Sequence, residues 1–336
     1  MSATSVPAAA GMPGLLEIRG LRVHFPTEDG TVRAVDGVDI SLDRREVLGL
    51  VGESGCGKSV TALSILRLLP PPGLIAGGRI LFEGRDILEM PEAGLRSLRG
   101  GRIGMVFQEP MASLNPVLTV GEQVAEAVRT HLPVSRREAR ERSVELLARV
   151  RIPEPARRAR EHPHRLSGGM RQRAVIAMAI ACGPALLLAD EPTTALDTTT
   201  QAEILDLLLE LQEGSGMSVL LIAHNLALVA ECADRVAVMY ASRIVEEGPA
   251  ADIFREPLHP YTRGLLASAP RRGAANQGRL AAIPGSVPDP RRFPSGCRFH
   301  PRCPWRAGRC EVEEPALREI GPGRRAACHF PGGGKP

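Results

Sequence analysis

The chain has 336 residues, enough for one large domain with an appendage or for two domains, and its 43% hydrophobic and 24% charged residues are ordinary for a globular protein. No run approaches the roughly 18 apolar residues of a membrane-spanning helix. Residues 1–14 lack the basic start and apolar core of a secretory signal. We therefore expect a soluble, cytoplasmic protein with a disordered N-terminal segment, residues 1–14.

Charge is distributed unevenly along the chain. Residues 256–336 hold 14 Lys or Arg and 6 Asp or Glu, a net charge of +8, whereas residues 1–255 hold 28 and 32, a net charge of −4. A basic segment is compatible with a nucleic acid, a membrane surface or an anionic cofactor as partner, or with a solvated surface that has no partner.

Two strands with partly alternating apolar residues open the chain, at residues 15–25 and 32–42, and predict an antiparallel β layer. The apolar run 47–51 then predicts a short buried strand, and residues 60–69 predict a helix that stops at Pro70. Phe25 lies upstream of the loop between that strand and helix. Its ring could stack on an adenine or, alternatively, pack in the core.

The loop between this strand and helix has the composition of a P-loop. It runs through Gly52, Glu53, Ser54, Gly55, Cys56, Gly57, Lys58 and Ser59 to Val60. Glycines let successive backbone N–H groups curl around phosphate oxygens, and the helix N-terminus adds a partial positive charge. Lys58 would reach the β- and γ-phosphates and the Ser59 hydroxyl would ligate Mg²⁺.

Residues 78–82 and 103–107 predict two further strands, the second ending at Gln108. A polar residue that leaves the carboxyl end of a buried strand points into the ligand crevice of an α/β sheet. Gln108 is therefore a candidate for the γ-phosphate and Mg²⁺ region. Residues 111–172 predict a helical insertion, because residues 119–150 have helical periodicity and a capping-box pattern begins at Ser135.

Ser167, Gly168 and Gly169 precede a helix that is predicted to extend to about Ala181. A hydroxyl and two glycines at a helix start are typical of anion binding. The apolar strand 185–189 then ends in Asp190 and Glu191. Asp190 would hold Mg²⁺ through Ser59 or water, and Glu191 would orient and deprotonate the attacking water.

Asp197 follows in a loop before a helix predicted at residues 201–212. The buried strand 219–223 delivers His224 to the same edge of the sheet, where a catalytic role is favoured over a structural one. Residues 235–240 and 243–246 predict a closing β pair.

The motifs together resemble those of the ATP-binding subunits of ABC transporters. The matching residues are the P-loop, Gln108, Leu166–Met170, Leu186–Glu191, Ala195–Asp197 and His224. The resemblance implies an α/β P-loop NTPase with a mixed central sheet, an antiparallel β layer and a helical insertion. It implies an ATPase domain over residues 15–255, followed by an irregular Cys-containing extension over residues 256–336.

Further segments resemble the dipeptide and oligopeptide importers within this family. They are Ser167–Arg173, Asp190–Asp197, His259–Thr262, Ile283–Gly285 and the region from Gly296 to Cys310. Asn225 departs from that group, which usually has Asp after the His. The resemblance implies ATP hydrolysis coupled to peptide uptake, and dipeptides, longer peptides and nickel complexes all stay open as the solute.

The resemblance also implies partners. Two ATPase subunits, identical or paralogous, would form a head-to-tail dimer in which Ser167, Gly168, Gly169 and Asp197 of one subunit contact the nucleotide of the other. Two transmembrane permease subunits and an extracytoplasmic solute-binding protein would complete the complex at the cytoplasmic side of the inner membrane. No nucleic-acid partner is expected.

Four of the seven cysteines fall near the C-terminus: Cys297, Cys303, Cys310 and Cys328. Clustered cysteines in a reducing compartment suggest a metal, but this spacing lacks the tight pair of structural zinc sites and matches neither common ferredoxin run, so the spacing alone does not say which metal. The resemblance favours a [4Fe–4S] cluster, with zinc as the alternative and His300 and His329 as competing ligands. Nearby arginines would partly offset the cluster's negative charge: Arg298, Arg302, Arg306 and Arg309.

Two other functions have weaker support. A soluble ABC protein that acts on ribosomes or DNA usually has two ATPase units or a long coiled coil, whereas this chain has one P-loop and no sustained heptads. A degenerate subunit without catalysis would not be expected to keep both Glu191 and His224.

Overall fold

The computed structural model describes residues 14–109, 113–194, 196–268 and 282–333. The segment expected to be disordered, residues 1–14, lies outside this part except for Gly14. Residues 111 and 112 of the predicted insertion and Ala195 of the Ala195–Asp197 motif also lie outside it.

The strands of the described part form two sheets. They are β1 (Leu16–Thr27), β2 (Gly30–Leu42), β3 (Val47–Val51), β4 (Leu74–Phe82), β5 (Arg85–Asp86), β6 (Ile103–Val106), β7 (Leu186–Asp190), β8 (Ser218–Ala223), β9 (Arg235–Tyr240), β10 (Arg243–Pro249), β11 (Arg318–Gly321) and β12 (Arg324–Ala326). The smaller sheet is antiparallel, in the order β2-β1-β4-β5, and the larger is mixed, in the order β11-β12-β10-β9-β3-β8-β7-β6. The predicted antiparallel layer and mixed central sheet are confirmed.

The helices of the described part lie between and around these strands. They are α1 (Lys58–Ile65), α2 (Glu92–Leu98), α3 (Val120–His131), α4 (Arg136–Arg149), α5 (Pro155–Arg158), α6 (Gly168–Ala179), α7 (Thr198–Ser215), α8 (Leu226–Ala230), α9 (Ala250–Arg255), α10 (Pro260–Ser268) and α11 (Gly308–Val312). None of them is both long enough and apolar enough to cross a membrane.

The five strands β9, β3, β8, β7 and β6 run parallel at the centre of the large sheet. All residues of β3 and β7 are buried, because helices and the second sheet cover both faces. Successive side chains serve two cores: Leu48 and Leu50 pack with the antiparallel sheet, and Val47 and Val51 pack with the helices of the opposite face. The carboxyl ends of these strands share one edge, where the P-loop and Glu191 follow.

The predicted helical region 119–150 consists of α3 and α4. Thr119 caps α3 in a complete capping box with Glu122, and the Ser135 side chain accepts a hydrogen bond from the Glu138 N–H at the start of α4. The helix predicted at residues 60–69 is shorter than expected and ends at Ile65.

The C-terminal extension is more regular than predicted. It contributes α10, α11 and the strands β11 and β12, and β12 pairs with β10 so that Ala326 lies opposite Glu246. The expectation of an irregular segment, based on its 13 prolines, was therefore wrong for these stretches. The strand β12 pairs with β11 of the extension on one side and with β10 at the edge of the central sheet on the other, so part of this Pro-rich segment finds its backbone partners in the sheet.

Candidate nucleotide-binding and hydrolysis site

The P-loop connects β3 to α1 under tight steric limits. Gly57 has φ +109°, and a Cβ at this position would lie 2.2 Å from the Ala34 carbonyl oxygen. Gly55 also has a positive φ, +79°. The glycines thus allow both a left-handed backbone and a close approach of neighbouring chain. Cys56 is buried beneath the loop, which raises the pKa of its thiol.

Lys58 is held by carbonyl oxygens of its own loop. Its Nζ donates to the Gly52 oxygen at 2.8 Å and to the Glu53 oxygen at 3.1 Å, and the residue is only 4% exposed. The loop therefore positions the ammonium group where phosphate oxygens could compete for it. Val60, two residues on in α1, packs against the core.

Ser59 and Asp190 meet across the strand ends. The Ser59 hydroxyl donates to Asp190 Oδ1 at 3.0 Å. Burial raises the pKa of Asp190, and the neighbouring Glu191 adds to this effect, whereas Ser59 and Lys58 oppose it. A divalent cation bound by the hydroxyl and the carboxylate would favour the ionised form, so this donor pair fits Mg²⁺.

Glu191 Oε2 is surrounded by three polar side chains. Gln108 Nε2 donates to it at 3.1 Å, the Thr194 hydroxyl donates at 2.9 Å, and His224 Nδ1 lies 3.6 Å away. Glu191 has φ +46°, and its N–H bonds the Ile222 carbonyl of the adjacent strand. This geometry directs the carboxylate to the edge where β7 and β8 end, and Asn225 follows there before α8.

We call Lys58, Ser59, Asp190 and Glu191, with their neighbours Gln108 and His224, the P-loop surface. Ser167, Gly168, Gly169 and Asp197 form a second group, the signature surface. They line an open cavity of about 440 Å³ whose lining, among the described residues, includes none from the P-loop. Each chain therefore presents two separate surfaces with anion-binding character.

The signature surface is built from two helix N-termini. The Ser167 hydroxyl accepts a hydrogen bond from the Met170 N–H at the start of α6, at 3.3 Å. Asp197 caps α7 and accepts hydrogen bonds from the Thr200 N–H and hydroxyl, and these bonds lower the pKa of Asp197. The partial positive charge of α6 is left facing the cavity at Gly168 and Gly169.

Phe25 is the candidate that the structure places among packing contacts. It lies on β1 opposite Val32 and packs against the core, and a Cβ at Gly73 would come within 2.5 Å of its ring. These contacts match the packing alternative, whereas adenine stacking stays a prediction. Sequence reasoning missed Thr194, although its position three residues after Glu191 fits a local hydrogen bond.

The four C-terminal cysteines line one small cavity, together with His259, Phe299 and Trp305. Backbone N–H groups of Trp305 and Phe330 donate to the sulfurs of Cys303 and Cys328, both at 3.4 Å. Burial raises the pKa of the Cys297 thiol to about 12 and that of Cys328 to about 11.

Among the described residues no group of three or more His, Cys, Asp or Glu is arranged to hold a metal ion, so the geometry supports neither the [4Fe–4S] cluster nor the zinc alternative. His300 Nδ1 and His329 Nε2 instead contact backbone carbonyl oxygens, each at 2.9 Å.

The nearby arginines have partners other than those expected. Three of them form ion pairs with carboxylates: Arg298 with Asp36, Arg302 with Glu53, and Arg309 with Glu313. Their charges are therefore already balanced within the chain, and the expectation that they offset a cluster's charge was wrong for these three.

Family comparisons agree with this geometry. Residues 35–194 match the model "ABC transporter", and residues 245–310 match "Oligopeptide/dipeptide transporter, C-terminal region". A "Probable peptide ABC transporter ATP-binding protein" of Sinorhizobium fredii is 54% identical over 315 residues, which is 94% of each chain.

Solved structures of similar fold include two ABC proteins. The ATP-binding cassette MJ0796, as a dimer in a post-hydrolysis state with ADP and Pi, has a TM-score of 0.63 at 27% identity, covering 70% of this chain and 98% of that one. cbiO1 from Clostridium perfringens, part of the ABC transporter complex cbiONQ, has a TM-score of 0.63 at 30% identity, covering 73% and 92%. The chain therefore belongs to the ATP-binding subunits of ABC transporters, in the group that carries the oligopeptide/dipeptide transporter C-terminal region.

Proposed function

We propose that this ABC ATPase hydrolyses ATP with Glu191 as general base and thereby energises peptide import. The observation that carries the proposal is the position of Glu191. Its Oε2 contacts Gln108, Thr194 and His224. The preceding residue, Asp190, accepts a hydrogen bond from Ser59. A carboxylate next to a Mg²⁺-type donor pair and a P-loop lysine is the arrangement that phosphoryl transfer to water requires.

In this mechanism the chain's own groups hold the reactants. Lys58 would exchange its loop carbonyls for phosphate oxygens. Ser59 and Asp190 would hold Mg²⁺, which when bound would neutralise charge that develops on the phosphates. Glu191 accepts a proton from the attacking water. Gln108 and His224 would orient the carboxylate, because both contact the same oxygen of Glu191.

The two separate surfaces support a dimer. The signature surface of one subunit would bind the γ-phosphate held by the P-loop surface of the other, so that ATP bridges the subunits. Hydrolysis removes this bridge and favours the open state. The partner ATPase is a second copy or a paralogue, and the helical insertion would pass the motion to two permease subunits at the cytoplasmic side of the inner membrane.

The peptide assignment rests on the match of residues 245–310 and on what the similar relatives are named for. Its test is uptake into vesicles by the complex of the subunit with its permeases and solute-binding protein. We expect ATP-dependent uptake of labelled di- or oligopeptides. Uptake of a nickel complex in place of peptides would contradict the assignment and support the alternative solute.

From the resemblance and the clustering of the four cysteines, we propose that Cys297, Cys303, Cys310 and Cys328 hold a [4Fe–4S] cluster, although the cavity between them is small. All four side chains line one cavity, and backbone N–H groups point at two of the sulfurs. Such hydrogen bonds stabilise thiolates that bind iron. Anaerobic purification should give stoichiometric iron and acid-labile sulfide, and Cys310→Ser should lower both. Zinc without iron would contradict the cluster.

A further inference from the structure

Glu53 places a carboxylate inside a loop that binds phosphates. It lies between Gly52 and Ser54, and its side chain is 30% exposed. An uncompensated negative charge at this position would repel a nucleoside triphosphate. The chain must therefore balance Glu53 if the loop is to bind its ligand well.

Arg302 of the C-terminal extension supplies this balance. Its Nη1 donates to Glu53 Oε2 at 2.7 Å and its Nη2 donates to Oε1 at 3.1 Å, a bidentate pair. The Arg302 side chain is only 4% exposed, and the hydrogen bonds that it donates to Glu53 raise the pKa of its guanidinium.

The extension also fixes the direction of the Arg302 side chain. The Nε donates to the Pro284 carbonyl at 2.9 Å, and the guanidinium lies 5.8 Å from the centre of the Tyr240 ring. Arg302 is thus presented to the P-loop by a rigid setting.

Tyr261 gives the same loop residue a second contact. The Glu53 N–H donates to the Tyr261 hydroxyl at 2.8 Å, and the Tyr261 ring is fully buried against Tyr240 and Phe299. Glu53 therefore bonds the extension through both its side chain and its backbone N–H. Its carbonyl oxygen accepts from Lys58, the residue that would reach the phosphates.

We propose that Arg302 and Tyr261 are positioning residues for ATP: they neutralise and orient Glu53, so the C-terminal extension sets the nucleotide affinity of the P-loop. The proposal takes ATP as ligand from the proposed function, but it is tested by binding and does not depend on transport.

The test is equilibrium binding of Mg-ATP to the full chain in a Glu191→Gln background, which prevents turnover. Arg302→Met should raise the Kd about tenfold. Adding Glu53→Gln should bring the Kd back to within about twofold of the background value, because the repelling charge is then gone. If Arg302 only held the extension in place, Glu53→Gln would not restore binding, because it does not replace the lost guanidinium.

Arg309→Met is the matched control. It removes an arginine of the same extension that pairs with Glu313, far more exposed than Arg302, and should leave the Kd unchanged. An unchanged Kd for Arg302→Met, or a double variant that binds as weakly as Arg302→Met, would overturn the proposal. If Arg302→Met does not fold, Tyr261→Phe and Arg302→Lys decide. Both should raise the Kd, Tyr261→Phe about threefold and Arg302→Lys by less than about tenfold, and an unchanged Kd for Tyr261→Phe would overturn the proposal.

Discussion

The P-loop surface and the signature surface both contain a helix N-terminus, but they differ in what else they contain. In the P-loop surface, Lys58, Ser59 and Glu191 each contact further polar groups of the same chain. In the signature surface, Ser167 and Asp197 are used to cap their own helices, and no lysine lines the cavity. In the proposed mechanism the first surface would hold phosphates and activate water, whereas the second would complete a site held by the partner subunit.

Glu191→Gln, in the P-loop surface, should have the largest effect on ATP turnover. The amide keeps the size of the side chain but cannot accept the proton of the attacking water, so we expect turnover to fall about 10²- to 10³-fold. ATP affinity should stay within about threefold of the wild-type value, because Lys58 and the loop glycines are untouched. The measurement is phosphate release by the assembled transporter alongside ATP binding. Near wild-type turnover would remove Glu191 from the role of base.

Thr194→Val tests how far the surroundings of Glu191 matter. The valine keeps the shape of the side chain but removes the hydroxyl that donates to Glu191 Oε2 at 2.9 Å. We expect turnover to fall about three- to tenfold with little change in ATP affinity, because Gln108 and His224 still contact the carboxylate. Comparing kcat with KM for ATP separates the two effects, and a change confined to KM would contradict this role for Thr194.

His259, whose ring contacts the Tyr261 backbone, should make the folded protein less stable in acid. Its Nδ1 accepts the Tyr261 N–H at 3.1 Å, and full burial lowers the pKa of the imidazole from its usual 6.5 to about 3. The folded state binds this proton less readily than the unfolded chain. The contribution of neutral His259 to stability is therefore fully present above pH 6.5. It is lost as pH falls toward 3, by about 1.4 kcal/mol per pH unit.

Glu246 accepts a hydrogen bond from the backbone N–H of His259. Burial raises the pKa of this carboxylate, so Glu246 changes stability with pH in the opposite direction to His259. The difference between wild type and His259→Asn isolates the imidazole, since asparagine retains an acceptor for the Tyr261 N–H. Denaturant unfolding at pH 7 and pH 5.5 should show a smaller loss of stability for the variant. Equal losses in both proteins would contradict the assignment.

The sequence predicted the ATPase part of the chain well for physical reasons. Strands such as β3 and β7 are buried on both faces, so they appear as short apolar runs, and polar residues after them must lie at one edge of the sheet. Local rules of this kind located Lys58, Asp190 and Glu191 without any knowledge of long-range contacts.

The extension was harder to predict because its structure depends on distant partners. The pairing of β12 with β10 and the bond of Arg302 to Glu53 join residues about 80 and 249 positions apart. The hydrophobic periodicity of the sequence does not predict such contacts. Tyr240 and Tyr261, the only two tyrosines of the chain, lie against each other with ring centres 4.5 Å apart. That pairing, like the role of Tyr261 beneath the P-loop, became visible only in three dimensions.

The account depends most on the claim that each nucleotide is bound between two subunits, by the P-loop surface of one and the signature surface of the other. Gly168→Asp tests it, because an acidic residue in the first turn of α6 favours the helix but repels a phosphate brought to the signature surface. Gly94→Asp in α2 is the matched control, with the same charge at the start of another helix. For Gly168→Asp, Mg-ATP binding by the isolated subunit should be unchanged, while turnover of the assembled transporter falls about tenfold or more. Unchanged turnover, or lost binding by the isolated subunit, would contradict the claim.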